Sequence, residues 1–165
     1  MSDLTIDAFE FCRQGERRED ELRVAQLPRL AKETVDASGT LHWSLQGGRN
    51  QHGHPQLTMT VRGSVNLTCQ RCLQPYRFDI DSSAVLILAQ DEAGANGLDE
   101  LLADEDVEVI VGSRAMDVAA LIEDDALLAL PLSPRHEVCP DQEAVPRVPA
   151  EEKISPFSVL KDLKR

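Results

Sequence analysis

The sequence predicts an α+β fold: a twisted antiparallel sheet, open or barrel-like, packed by one main helix. Three observations carry that prediction. First, residues 57–80, LTMTVRGSVNLTCQRCLQPYRFDI, hold two alternating runs joined by a short polar connection. Leu57, Met59, Val61, Val65, Leu67 and Cys69 share one parity in the first run, and Tyr76, Phe78 and Ile80 share one in the second. A period of two sends one face to a core and the other to water, so the pair reads as an antiparallel hairpin. Second, residues 116–131, MDVAALIEDDALLALP, read as a helix, with Asp117 as N-cap and Pro131 as its stop. Its broad apolar face comprises Val118, Leu121, Ile122, Ala126, Leu128 and Ala129. Third, 42% of the chain is hydrophobic but only 4% is aromatic. The core is therefore expected to be aliphatic.

The remaining elements follow in order. Ile6, Ala8, Phe9 and Phe11 make a short apolar opening that anchors the N-terminus, and Cys12 reads as a small buried hydrophobe. GERREDELRV sets Leu22 and Val24 among charges and reads as an exposed or edge strand. Pro28 opens a short helix near Leu27–Val35, in which Leu27, Leu30, Ala31 and Val35 recur at helical spacing. Leu41, Trp43 and Leu45 form a strand, and the Gly-rich turn after it completes a meander. Gly63 breaks an apolar face, the mark of a bulge or a close approach. The apolar run continues through residues 82–90. An acidic tract with Gly94, Asn96 and Gly97, residues 91–106, reads as a flexible insertion, and Val107, Val109 and Val111 return as a strand.

A single domain over residues 1–140 is thus expected. Residues 141–154 are Pro-rich and charged, and read as a linker. Residues 155–165, SPFSVLKDLKR, read as a C-terminal amphipathic helical peptide opened by Ser155 and Pro156. Phe157, Leu160 and Leu163 line one face, while Lys161, Lys164 and Arg165 lie near its end, where they suit the helix dipole. Such a peptide either docks on its own core or binds a partner.

Charge and composition narrow the function. A net charge of −12 repels polyanions as a whole, so any phosphate contact must be local. Arg62, Arg71 and Arg77 form the one local positive patch in mid-chain, the candidate for RNA or partner contact. No run of about twenty apolar residues offers a membrane span. The acidic N-terminus lacks the basic opening of a secretory signal, so a cytoplasmic location with reduced cysteines is expected. Glu123, Asp124 and Asp125 adjoin one another, but no nucleophile, histidine base or Gly-rich loop is positioned beside them. They read as a polar helix face. No catalytic residue and no small-molecule substrate is predicted.

The pair Cys69 and Cys72 at the hairpin turn has three readings. The foremost is two reduced thiols that shape a tight turn and pack against the segment holding Cys139. The second is structural zinc: Cys69-x-x-Cys72 and His136-x-x-Cys139 supply two ligand pairs at knuckle-like spacing, four in all. No glycine follows Cys72, and the second pair lies far along the chain. The third is thiol redox chemistry, which wants the first cysteine at a helix N-terminus; here alternation follows instead.

Three stretches in order, LTCQRCLQPYRF, MDVAALIEDDALLALPLSPRHEVC and SPFSVLKDLKR, resemble the YceD family of large ribosomal RNA subunit accumulation proteins. AFEFCRQGE and LPRLA also look like that family's N-terminal region. The resemblance implies a bacterial, cytoplasmic, non-enzymatic ribosome-biogenesis factor that supports synthesis, processing or stability of large-subunit ribosomal RNA. Its implied partners are that RNA, a ribosomal protein or an assembly factor. It implies no catalytic residues. Alternatives are an acidic adaptor for a basic ribosomal protein, acting through the acidic tract, and a small structural-zinc binding module.

Overall fold

A computed structural model describes residues 4–140, and within them a five-stranded sheet organises everything else. Its strands are β2 (Arg17–Arg23), β3 (Thr40–Arg49), β4 (Pro55–Thr68), β5 (Pro75–Ala89) and β6 (Glu108–Val111), in that spatial order. A two-residue strand β1 (Thr5–Ile6) pairs with β7 (Met116–Asp117) outside this sheet. The helices are α1 (Ala8–Gln14), α2 (Pro28–Glu33), α3 (Glu92–Leu101) and α4 (Val118–Ala129). The α+β class holds, with the sheet open rather than closed into a barrel.

The alternation sets the register. Leu67 faces Tyr76, Val65 faces Phe78 and Gly63 faces Ile80 across β4 and β5, and Trp43 faces Val61 across β3 and β4. Leu41, Trp43, Leu45, Leu57, Met59 and Val61 are all buried on one face of the sheet. α1 adds Phe11 and Cys12 to this core, α2 adds Leu30, and α4 adds Val118, Ile122 and Ala126. The pairing of β4 with β5 runs unbroken through Gly63, so there is no bulge; a Cβ there would overlap the Thr40 carbonyl oxygen of β3 on the other side. Glycine serves close approach at this position.

The apolar opening anchors the N-terminus to the core as expected, and from Ala8 it does so as a helix: the Asp7 side chain caps α1 by accepting from the Phe9 and Glu10 N–H groups, and Gly15 ends it in the left-handed region. Three expectations need correction. The acidic tract read as a flexible insertion holds α3, where Asp91 Oδ1 accepts from Gly94 N–H. α3 lies on the sheet face opposite the main core, with Gly94 against Ala89 and with Ile87 and Leu102 buried. The sheet is not wholly antiparallel either, because β6 pairs parallel to β5. A helix between two strands makes the crossover that a parallel pair needs. Finally, Leu128, placed on the apolar face of α4, is 78% exposed.

α4 is tied to α2 by a buried carboxylate. Glu123, 4% exposed, accepts from the backbone N–H groups of Arg29 at 2.6 Å and Leu30 at 3.0 Å. The Arg29 guanidinium donates to it at 2.9 Å and reaches Asp124 as well. The residue before α2 is Leu27, which has no capping side chain, so Glu123 satisfies that helix N-terminus from another element.

Candidate metal centre at the hairpin tip

The β4–β5 hairpin closes at Thr68 opposite Pro75, and Cys69 and Cys72 occupy the turn between them. The turn is built from backbone hydrogen bonds. Cys69 N–H donates to Gln74 O at 2.9 Å, and Leu73 N–H donates to Cys69 O at 2.9 Å. Leu73 takes φ 60°, the left-handed conformation that a knuckle turn usually gives to glycine. Its side chain is 71% exposed, so the cost of this conformation is confined to its own backbone.

The segment after α4 comes back to this turn. Pro131 and Pro134 end the helix and redirect the chain, and Gln70 N–H donates to Pro134 O at 2.8 Å. That contact brings His136 and Cys139 over the two cysteines. The ligand atoms of Cys69, Cys72, His136 and Cys139 all lie within 4.8 Å of one another. Cys69 Sγ is 3.9 Å from Cys139 Sγ, and Cys72 Sγ is 3.4 Å from His136 Nδ1. These four were the candidate ligands in the sequence, and the fold brings all of them together.

Geometry and donor chemistry test the fit to a metal. Around a tetrahedral zinc, two sulfurs stand about 3.8 Å apart and a sulfur and a nitrogen about 3.5 Å apart. The two distances above match those edges. His136 Nε2 lies 3.0 Å from Pro75 O, so Nε2–H donates there and Nδ1 keeps its lone pair for the centre. Tyr76 packs edge-on against the His136 ring, with centroids 5.4 Å apart. His136 N–H points at Cys69 Sγ at 3.4 Å. Burial by itself would raise the Cys69 thiol, but the backbone N–H groups of Cys72, His136 and Arg71, with the His136 side chain, bring it down to about 5. Cys139 is pushed up to about 11 by burial and by the adjacent Cys72 and Cys69 sulfurs. The Cys69 thiol is thus biased toward the thiolate that a metal takes, and a cation would offset the crowding of sulfurs around Cys139. Three soft sulfurs and an imidazole make a four-donor set of the kind that suits structural zinc.

The other candidate residues are placed differently. Arg62 and Arg77 are exposed on the outer face of the hairpin as expected, but each has a carboxylate beside it. Arg62 Nε donates to Asp81 at 2.9 Å, directly across the strand pair, and Arg77 Nε to Asp79 at 3.3 Å. Arg71 is exposed in the turn itself. The patch is therefore partly neutralised by residues of β5. Phe157, Leu160 and Leu163 lie outside the described residues. The supports Pro75, Tyr76 and Pro134 were not foreseen as parts of the site. An aromatic four residues after Cys72 and a proline two before His136 were the available signals.

Comparison with known proteins adds the lineage. Residues 57–164 match the family model described as large ribosomal RNA subunit accumulation protein YceD, a span that includes all four ligand candidates. The chain is 29% identical over 180 residues to the Haemophilus influenzae protein named large ribosomal RNA subunit accumulation protein YceD, covering 98% of this chain and 95% of that one. No solved structure matches it. Among the described residues, no helix is long and apolar enough to cross a membrane.

Proposed function

The chain belongs to the YceD family, and from that premise we propose that it is a cytoplasmic, non-catalytic binding factor for accumulation of large-subunit ribosomal RNA, with its recognition hairpin held in shape by one structural zinc ion. The observation that carries the reading is the convergence of Cys69, Cys72, His136 and Cys139 within 4.8 Å at the hairpin tip. Zinc would join the strand turn to the segment after α4 and so lock the tip onto the body. The chain's own residues orient the ligands: Pro75 O fixes the histidine tautomer and Gln70 holds Pro134. A four-donor set that suits structural zinc supports binding over catalysis.

Between ribosomal RNA and a ribosomal or assembly protein as the direct contact, the second is favoured by Asp79 and Asp81. They offset Arg77 and Arg62, in a chain whose net charge is already −12. Exposed pairs of this kind are weak, so the face stays adaptable to a polar partner surface.

Metal analysis of the untagged, full-length chain is expected to find one zinc per chain, and Cys69→Ser to lose it. Amide exchange should then accelerate in residues 67–78 and 134–139 and change little elsewhere. A chain purified without metal whose melting and exchange are unmoved by Cys69→Ser would end the zinc reading. Crosslinking in cells, followed by identification of the attached molecule, separates the partners. Recovery of RNA bases crosslinked to Arg71 would overturn the preference for protein.

A further inference from the structure

A second surface lies along the open margin of β5. β6 pairs with β5 only over Leu86–Ala89, so from Pro75 to Val85 that margin has no strand neighbour among the described residues. α4 passes alongside, where Ser82 Oγ donates to Asp125 Oδ1 at 3.0 Å. Between them runs a groove of about 490 Å³ whose apolar wall includes Val85, Val107 and the exposed Leu128, and whose acidic wall is Asp106, Glu108 and Asp125. None of these three carboxylates is in an ion pair among the described residues. Asp125 Oδ2 is buried with no hydrogen-bond partner there. Burial raises the Asp125 carboxyl above its ordinary value, and the Ser82 bond offsets this only in part. A large exposed leucine on the core helix, beside carboxylates with no cation to answer them among the described residues, describes a surface that lacks its cover.

We propose that the cover is the chain's own C-terminal segment, residues 155–165. The chemistry is complementary. Phe157, Leu160 and Leu163 supply an apolar stripe, and Lys161, Lys164 and Arg165 bring three positive charges against the single acid Asp162. The chain has no Lys or Arg between Arg77 and Arg114, so the groove has no basic residue from its β5–β6 side to answer its acids. The reach is sufficient. The described chain stops at Pro140, beside the hairpin tip, and Ser82 lies seven residues along β5 from Pro75, about 23 Å away. Residues 141–154 span about 20 Å as a coil and up to roughly 50 Å extended. Tethering at that length gives an effective concentration in the millimolar range, enough for a weak contact to fill. The groove beside Lys32 and Pro134 at the tip is a poorer seat, since its only acid is Glu33. The family match extends to residue 164, so this segment belongs to the same matched unit as the groove. The proposal stands apart from the zinc reading, because neither wall of the groove contains a metal ligand.

The test is amide exchange on the full chain. Phe157→Ser, Leu160→Ser and Leu163→Ser together are expected to speed exchange roughly fivefold in peptides covering 82–85, 106–108 and 125–129, and to leave the tip unchanged. Asp106→Lys with Glu108→Lys should produce the same acceleration. Adding Lys161→Glu and Lys164→Glu to that charge-reversed groove should restore protection, which a merely structural effect of the substitutions would not do. Exchange in the groove that ignores the tail variant overturns the proposal, as does acceleration confined to 127–134 and the tip. Protection that grows with protein concentration also overturns it, because the occupant is then a second copy.

Discussion

The base and the tip of the β4–β5 hairpin are held by different forces. At the base, Leu57, Met59, Leu86 and Leu88 are buried under the helices, and their cohesion is non-directional. At the tip, Leu73 is exposed and Tyr76 and Phe78 are half-buried, while position is set by directional contacts among sulfur, imidazole and backbone groups. The base should therefore tolerate aliphatic exchange of equal volume and resist loss of volume. The tip should tolerate changes of surface side chain and resist loss of a donor atom. One strand pair thus carries two kinds of order, apolar burial at its base and directional polar contacts at its tip.

The comparison can be broken most forcefully at the base. Leu57→Ala is expected to cost about 3–5 kcal/mol in urea unfolding, in one cooperative transition, with the same loss in the presence of a chelator. A loss that vanished on chelation would mean that the two ends are a single unit. A smaller effect is expected at the Glu123 tie, which belongs to the base. Glu123→Ala leaves the Arg29 and Leu30 N–H groups without their acceptor and should cost about 2–3 kcal/mol. This tie has a pH signature. Burial opposes ionisation of Glu123, but the Leu30 and Arg29 donors prevail and hold its carboxyl below the usual value. Its contribution is complete above the unfolded glutamate value of about 4.3 and is lost as pH falls through the lower folded value. Asp125, held up by burial, has the opposite sign: its ionisation weakens the fold as pH rises through the raised value. Melting measured from pH 3 to 7 should therefore fall steeply at the acid end for the native chain and less steeply for Glu123→Ala. The smallest effect sharpens the picture of the tip. Leu73→Gly removes a left-handed leucine and should slow exchange at residues 69–74, worth about 1 kcal/mol. Slower exchange in the metal-stripped variant, with the zinc content of the untreated variant unchanged, would show that local backbone strain and ligation act separately there.

Alternation carried most of the fold. β3, β4, β5 and α4 could be read because each buries one face and shows the other to water, and Asp117 and Pro131 mark the ends of α4 unmistakably. α1 is hard to read although Asp7 and Gly15 bracket it, since AFEFCRQ is apolar on too many sides to suggest a period. α3 is hidden in the sequence because two glycines and three acids obscure its short apolar side, Leu98 with the capping Leu102. The parallel setting of β6 is hidden with it, as a loop implies a hairpin where a helix implies a crossover. At the tip, the cysteine pair and its partners were visible as residues but not as a cluster. Their meeting depends on two prolines after α4 and on a backbone bond from Gln70 to Pro134, which no spacing rule encodes. The missing glycine after Cys72 was misleading, because Leu73 accepts the same backbone conformation.

The outermost strand on the far side, β2, has six charged residues among its seven, with Leu22 the exception. A neighbour approaching that border would have to match a mixed series of arginines and acids before its backbone could pair. In a crowded cell this discourages a second sheet from adding edge to edge along β2.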